Sequence, residues 1–186
     1  MRYIIFSCLL FFSISATCQK LTLVVGPQQA FPNGNFQLSA GNGWGIFSRF
    51  DYKLSERLIA IGSIDGISFA EKSVSLMITP GVIYISKFGL ASAQLGARFN
   101  VLNRSSSNLY VSAELGLSQL HFRLSNNQNQ NVDTSDDYNF CYRYAIGYSM
   151  KRWELIYSQQ FISNGSSSIN FFAIRLGYRI VFNKAK

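Results

Sequence analysis

Apolar and polar residues alternate along most of this chain with a repeat of two. In residues 89–102, for example, Leu95 and Phe99 share one parity and Gln94 and Arg98 share the other. Successive side chains of a β-strand point to opposite faces of the sheet, so the repeat predicts strands with one apolar and one polar face. Five further segments show the same repeat: residues 44–54, 109–118, 138–150, 153–161 and 172–182.

We call each of the two alternating sets of positions a parity. The polar parity is rich in glycine and other small residues, yet it carries charges of both signs. These charges are Arg49, Asp51, Arg98, Glu114, Arg143, Glu154, Arg175 and Arg179. In a narrow barrel this parity points into the lumen, where small side chains leave room for charges to pair. The charges then form a packed plug or line a polar path for small solutes. The interior of an eight-stranded barrel is just wide enough for side chains to fill, which favours the plug.

The apolar parity faces lipid in this interpretation. Aromatic residues cluster near the predicted strand ends, at Trp44, Tyr52, Tyr110, Tyr138, Trp153 and Phe182. Such positions are typical of the interfacial aromatic girdles of membrane barrels.

The connections between strands alternate between short and long. Short turns are predicted at residues 55–56, 103–108 and 151–152, and longer polar connections at residues 31–41, 70–88, 124–137 and 163–168. Outer-membrane barrels have short periplasmic turns and longer external loops. The order predicts an all-β fold, an eight-stranded antiparallel up-and-down transmembrane β-barrel with both ends in the periplasm.

The first strand is the least determined part of this prediction. Residues 74–86 are apolar enough to form a strand, but counting them gives nine, so we place them in an external loop or a strand extension. Alternatively, residues 20–41 stay outside the barrel, which also leaves eight strands. Within residues 20–41, two alternating sets compete for the strand: Leu21, Leu23 and Val25, or Phe36, Leu38 and Ala40.

The N-terminus has the features of a secretory signal peptide. Arg2 precedes an apolar stretch at residues 4–14, and Ala16 and Cys18 are the small residues that signal peptidase requires before a cut at Gln19. We therefore expect residues 1–18 to be removed and residues 19–186 to form the barrel domain. Lipidation of Cys18 is a weaker alternative. An uncleaved anchor helix is disfavoured because it needs about 20 apolar residues, more than the stretch at residues 4–14 contains.

Composition narrows the class of protein. Cleavage leaves Cys141 as the only thiol, so no disulfide within the chain is expected. A chain with 48% hydrophobic, 15% aromatic and only 14% charged residues is unusual for a soluble secreted β-sandwich, the competing class. The formal charge of +8 is scattered along the chain, so nucleic-acid binding is not predicted.

Candidate chemistry is sparse. His121 is the only histidine, and a triad of Ser118, His121 and Glu114 is disfavoured because Ser118 and His121 are three residues apart in a strand. A cluster of Asp133, Asp136 and Asp137 lacks the spaced glycine of a calcium loop. The sequence therefore predicts no enzyme activity, no metal and no cofactor, with a lipid-active outer-membrane enzyme as the competing alternative.

Three segments resemble small outer-membrane barrels of the OmpA, OmpX and OmpW types, especially those of Bacteroidetes-like bacteria: residues 50–58, 109–117 and 174–182. The resemblance implies a structural or surface-interaction role, with recognition chiefly in the external loop at residues 124–137. It also implies outer-membrane lipid and the barrel assembly machinery as partners. That machinery reads a C-terminal strand signal, which here comprises Leu176, Tyr178, Ile180 and Phe182 and is followed by four more residues.

Overall fold

Eight long strands form a closed antiparallel barrel in the computed structural model, which describes residues 21–74, 84–104, 106–126, 131–164 and 167–182. The strands are β1 (Leu21–Asn33), β2 (Gly43–Lys53), β3 (Leu58–Phe69), β5 (Tyr84–Asn103), β6 (Ser107–Asn126), β7 (Asn131–Met150), β8 (Trp153–Asn164) and β9 (Ser167–Phe182), with a short strand β4 (Lys72–Val74) beside β5. A single helical turn, α1 (Phe36–Ser39), follows β1.

Each long strand pairs with its neighbours along the chain. The barrel closes where β1 pairs with β9, with Leu21 opposite Phe182, and β3 pairs with β5, with Leu58 opposite Phe99. Every pairing is antiparallel. The predicted eight-stranded antiparallel barrel is confirmed.

The first strand is β1, so the alternative that leaves residues 20–41 outside the barrel is wrong. Residues 36–39 of the competing set form α1 instead of a strand. The apolar segment at residues 74–86 contributes to a strand extension, because β4 pairs with the first residues of β5, from Lys72 opposite Ser86 to Val74 opposite Tyr84. Residues 75–83 lie outside the described residues.

The short connections occur where they were predicted, between Lys53 and Leu58, between Asn103 and Ser107, and between Met150 and Trp153. We call this end of the barrel the turn side and the opposite end the loop side. Lys151 has a positive φ of 52°, as the tight turn after β7 requires.

The predicted loop at residues 124–137 is mostly wrong. Strand β6 continues to Asn126 and β7 begins at Asn131, with His121 opposite Asp136 and Leu124 opposite Asp133. Polar composition suggested a loop, but backbone hydrogen bonds between strands continue regardless of side-chain polarity where water reaches both faces of a sheet. Residues 127–130 lie outside the described residues.

The two faces of the strands follow the predicted parity. On β5, Gln94 and Arg98 are buried inside, while Leu95 and Phe99 are exposed outside. Within the described residues, no helix is long and apolar enough to cross a membrane.

Candidate functional site in the barrel interior

Seven of the eight predicted lumen charges point inward and are buried. They are Arg49, Asp51, Arg98, Glu114, Arg143, Glu154 and Arg175. The eighth, Arg179, lies closer to the turn side, and its side chain is 19% exposed. These side chains, with others that the sequence did not single out, form two charged layers beneath an apolar layer.

The turn-side layer is centred on Glu154 of β8. Its Oε1 atom lies 2.7 Å from Arg49 Nη2 and 3.4 Å from Arg98 Nη1, and it accepts a hydrogen bond from the Tyr110 hydroxyl. Asp51 lies 2.6 Å from Arg49 Nε and 3.1 Å from Arg98 Nη1. Two arginines thus share two carboxylates, and this mutual pairing offsets part of the cost of removing the four charges from water.

Tyr110 is an interior residue, so its assignment to an interfacial girdle was wrong. The side chain is fully buried, and the Arg98 guanidinium lies 3.6 Å from its ring centroid. Tyr110 has the same parity as Ser112 and Glu114, which places it inside. A Cβ at Gly147 would overlap the Tyr110 ring, so glycine is needed on β7 for this close approach.

The second charged layer is centred on Arg143 of β7. Its Nη1 atom donates to Asp65 at 2.8 Å, and Nη2 donates to Ser63 at 2.8 Å, to Glu114 at 3.1 Å and to Gln94. One guanidinium therefore connects β7 with β3, β5 and β6. Its planar fork of five donors suits such a shared position.

Asp65 was missed by the sequence prediction. It is 3% exposed, and it also accepts a hydrogen bond from Ser92 and lies 3.7 Å from Arg175 Nη2. The inward face of β3 also carries Ile61 and Ile67. The strand therefore shows no clear alternation of polar and apolar residues from which Asp65 could be identified. Its alternation of Ser63 and Asp65 at one parity was the available signal.

An apolar layer fills the loop-side half of the interior. Phe36 of α1 makes edge-to-face contacts with Phe69 and Phe88, at centroid distances of 5.1 Å in both cases. Phe69 in turn contacts Phe171. The buried residues of this cluster are Ala30, Phe36, Ala40, Ile67, Phe69, Phe88, Leu90, Leu120, Cys141, Ile162, Ile169, Phe171 and Ala173.

Two polar contacts hold α1 in the barrel mouth. Lys72 Nζ donates to the Gln37 carbonyl, and Ser86 Oγ donates to the Ser39 carbonyl at 2.5 Å. Carbonyls at the end of a helix lack partners within it, so these donors satisfy groups that would otherwise stay unpaired. The connection after β1 is thereby tied to β4 and β5.

The outer surface of the barrel is apolar and aromatic. The exposed aromatic residues include Trp44, Phe50, Phe99, Tyr138, Phe140, Tyr144, Tyr148, Trp153, Tyr157 and Phe182. A continuous apolar exterior of this kind is typical of a surface that contacts lipid.

The candidate chemical groups do not assemble. Ser118 is buried inside the barrel, whereas His121 is exposed and its Nδ1 atom lies 2.8 Å from Asp136 Oδ1. Asp133 and Asp137 are also exposed. Among the described residues, no three His, Cys, Asp or Glu side chains are grouped closely enough to hold a metal ion.

Comparison with known proteins identifies similar structures but no sequence relatives. No protein-family profile matches the chain, and no curated protein matches its sequence. Ail, the attachment invasion locus protein of Yersinia pestis, was solved in complex with the heparin analogue sucrose octasulfate. Its structure has a TM-score of 0.61 at 14% identity and covers 88% of this chain and 100% of its own.

Two further solved structures have the same architecture. Neisserial surface protein A has a TM-score of 0.59 at 13% identity, covering 87% of this chain and 97% of its own. The outer membrane protein OprG from Pseudomonas aeruginosa has a TM-score of 0.53 at 9% identity, covering 90% and 98% respectively. The chain therefore has the fold of the small β-barrel proteins of bacterial outer membranes.

Proposed function

We propose that this protein is an integral outer-membrane barrel whose filled interior does not conduct solutes and whose role is to present a recognition sheet outside the membrane. The fold and its apolar, aromatic exterior support membrane insertion. The layered interior supports a structural role for the lumen charges, and the unequal strand lengths support recognition on the loop side.

The layered interior is the observation that carries the proposal. A solute crossing the barrel would have to displace Arg98 and Arg143, both 0% exposed, and then the Phe36 cluster at the loop-side mouth. Separating buried ion pairs is expensive because each charge would be left without a partner. The lumen charges therefore act as a plug.

The strand lengths support a projecting recognition surface. Strands β6 and β7 have 20 residues each, whereas β8 has 12. A tilted strand needs about 9–11 residues to cross the apolar core of a bilayer. About half of the β6–β7 hairpin therefore lies outside the membrane, joined by the first residues of β5. This projecting sheet replaces the flexible loop predicted at residues 124–137.

The charge of the loop side argues against a polyanionic partner such as the heparin analogue bound by Ail. Its described charged residues are Glu71, Lys72, Lys87, Arg123, Asp133, Asp136 and Asp137. Acids outnumber bases here, and Lys87 lies 3.3 Å from Glu71. A sulfated polysaccharide would meet little net attraction on such a surface. We propose a partner that is not a polyanion.

The route to the membrane forms part of the same proposal. Signal peptidase cleaves before Gln19, and the barrel assembly machinery then reads the strand signal on β9. Its residues Leu176, Ile180 and Phe182 are exposed on the outward face. An apolar outward face is available to the machinery before lipid covers it.

Cysteine accessibility tests the orientation and the projecting sheet together. In a Cys141→Ser background, Thr134→Cys places a thiol on β7 beyond the membrane, and Arg152→Cys places one in a turn on the opposite side. Both native residues are exposed. A membrane-impermeant maleimide should label Thr134→Cys on intact cells and Arg152→Cys only after permeabilisation. Equal labelling of the two on intact cells would contradict the proposal.

A further inference from the structure

Exposed cations surround the turn side of the barrel. Lys53 precedes the first turn and Arg57 lies within it. Arg104 lies in the second turn, and Lys151 and Arg152 form the third. We call these five residues the basic ring. Glu56 is the only acidic residue among the described residues of the three turns. The ring therefore has a strong net positive charge spread over every turn, not concentrated in one.

The two ends of the barrel differ in charge. On the loop side, acids outnumber bases among the described residues, and the cations Lys72 and Lys87 contact Gln37 and Glu71. On the turn side, charge pairing between neighbours cannot neutralise five cations with one acid. This asymmetry places an uncompensated positive potential at one membrane boundary only.

Aromatic residues beside the basic ring indicate its depth in the membrane. Arg152 Nη1 donates to the Tyr178 hydroxyl at 3.0 Å, and the Tyr178 ring meets Trp153 edge-to-face at a centroid distance of 5.3 Å. Both rings are on the outward face of the barrel. Tyrosine and tryptophan favour the level of the lipid headgroups, so the adjoining guanidinium lies at phosphate depth.

We propose that the basic ring binds the headgroups of anionic phospholipids in the leaflet that faces the turns. The inference rests on the membrane insertion stated above as the proposed function. Arginine offers a planar fork that matches two phosphate oxygens, and lysine adds point charge. The apolar surface next to the ring receives the acyl chains. Free phosphate would satisfy the cations but leaves that surface without a partner, which favours lipid.

The attraction to an anionic surface is on the order of fivefold in affinity for each cationic side chain near the headgroups. A ring of five cations therefore enriches anionic lipid strongly around the turn side. The loop side, with its mixed charges, has no such preference.

The two tryptophans of the chain, Trp44 and Trp153, allow each end to be measured separately. Trp153 borders the basic ring, and Trp44, at the start of β2, marks the loop side. A Trp44→Phe variant leaves only Trp153 as the reporter, and Trp153→Phe leaves only Trp44. Each is reconstituted into phosphatidylcholine vesicles containing an equal fraction of dibrominated phosphatidylglycerol or dibrominated phosphatidylcholine, which quench fluorescence on contact.

We expect Trp153 to be quenched several-fold more efficiently by the phosphatidylglycerol than by the phosphatidylcholine, and Trp44 to be quenched equally by both. Neutralising the ring with Lys53→Gln, Arg57→Gln, Arg104→Gln, Lys151→Asn and Arg152→Gln should abolish the preference. Asparagine suits position 151 because it tolerates a positive φ. The matched control replaces the three arginines with lysine and should retain most of the preference.

The outcomes separate the two proposals. Equal quenching of Trp153 by both lipids overturns lipid binding by the ring while leaving insertion intact. No quenching by either lipid overturns insertion, and with it the proposed function. Equal quenching of Trp153 by both lipids, together with binding of inorganic phosphate that the ring-neutralised variant loses, assigns the ring to free phosphate and also overturns the lipid proposal. Heat-modifiable migration on a gel verifies that each variant has folded.

Discussion

Replacing Arg143 with glutamine tests whether the barrel interior is dry. The change removes the guanidinium that contacts Asp65, Glu114, Ser63 and Gln94. Asp65 then keeps Arg175 at 3.7 Å as its remaining cation. Removing one partner of a buried ion pair costs about 3–5 kcal/mol because a charge stays buried without compensation. We expect Arg143→Gln to lower the free energy of unfolding by that amount.

The measurement is urea-induced unfolding in lipid vesicles, followed by tryptophan fluorescence and gel mobility. The vesicles consist of phosphatidylcholine alone, so they offer no anionic headgroup to Arg104. The matched control is Arg104→Gln in an exposed turn, which should then change the free energy of unfolding by less than about 0.5 kcal/mol. A pair in contact with water is worth only about 0–1 kcal/mol. An Arg143→Gln variant as stable as the control would therefore show a water-filled lumen and refute the reasoning.

Glu114→Gln provides a second check within the same layer. It removes one of the carboxylates that Arg143→Gln leaves without a partner. The double variant should therefore be more stable than the sum of the single effects predicts, with a coupling of about 0.5–3 kcal/mol. Additive effects would mean that Arg143 and Glu114 do not interact in the folded barrel.

Three further predictions use the same unfolding assay or a labelling assay. Gly147→Val should destabilise the barrel by about 1–3 kcal/mol, because the new side chain overlaps the Tyr110 ring, and Tyr110→Leu in the same chain should recover part of the loss. Phe36→Ala should cost about 3 kcal/mol by emptying the aromatic cluster, whereas the exposed Leu38→Ala should cost less than about 0.5 kcal/mol; equal costs would contradict the packing of α1 in the mouth. The buried Cys141 thiol should react with a small maleimide only after unfolding in urea, and rapid labelling of the folded protein would indicate solvent in the lumen.

Side-chain parity made most of the barrel predictable from sequence. Once alternation assigned one face of each strand to the interior, Arg98 and Arg143 were identified without any three-dimensional information. Parity also predicts that Tyr110 points inward, but tyrosine is common at membrane interfaces, and Tyr110 was assigned there for that reason. In a narrow barrel, a tyrosine that reaches a buried carboxylate such as Glu154 is as suitable inside as at the membrane boundary.

Tertiary packing determined what parity could not. Phe36, Leu38 and Ala40 alternate as a strand would, but Phe36 packs among rings from β3 and β5, and the segment turns into α1. Strand β3 has Ile61 and Ile67 inside the barrel, which conceals the buried charge of Asp65. Both cases depend on contacts between segments that are distant along the chain. Such contacts leave no local pattern at Phe36, and only the short alternation of Ser63 and Asp65 at Asp65.

Electrical recording across a planar bilayer tests the filled interior most directly. Folded protein should insert, as verified by quenching of its tryptophans by brominated lipid, and should show no sustained single-channel currents over long recordings. The Arg98 and Arg143 networks and the Phe36 cluster predict this result, because together they occupy the barrel from the turn side to the loop side. Stable current steps of uniform size from the inserted wild-type protein would contradict the account and establish a solute path through the lumen.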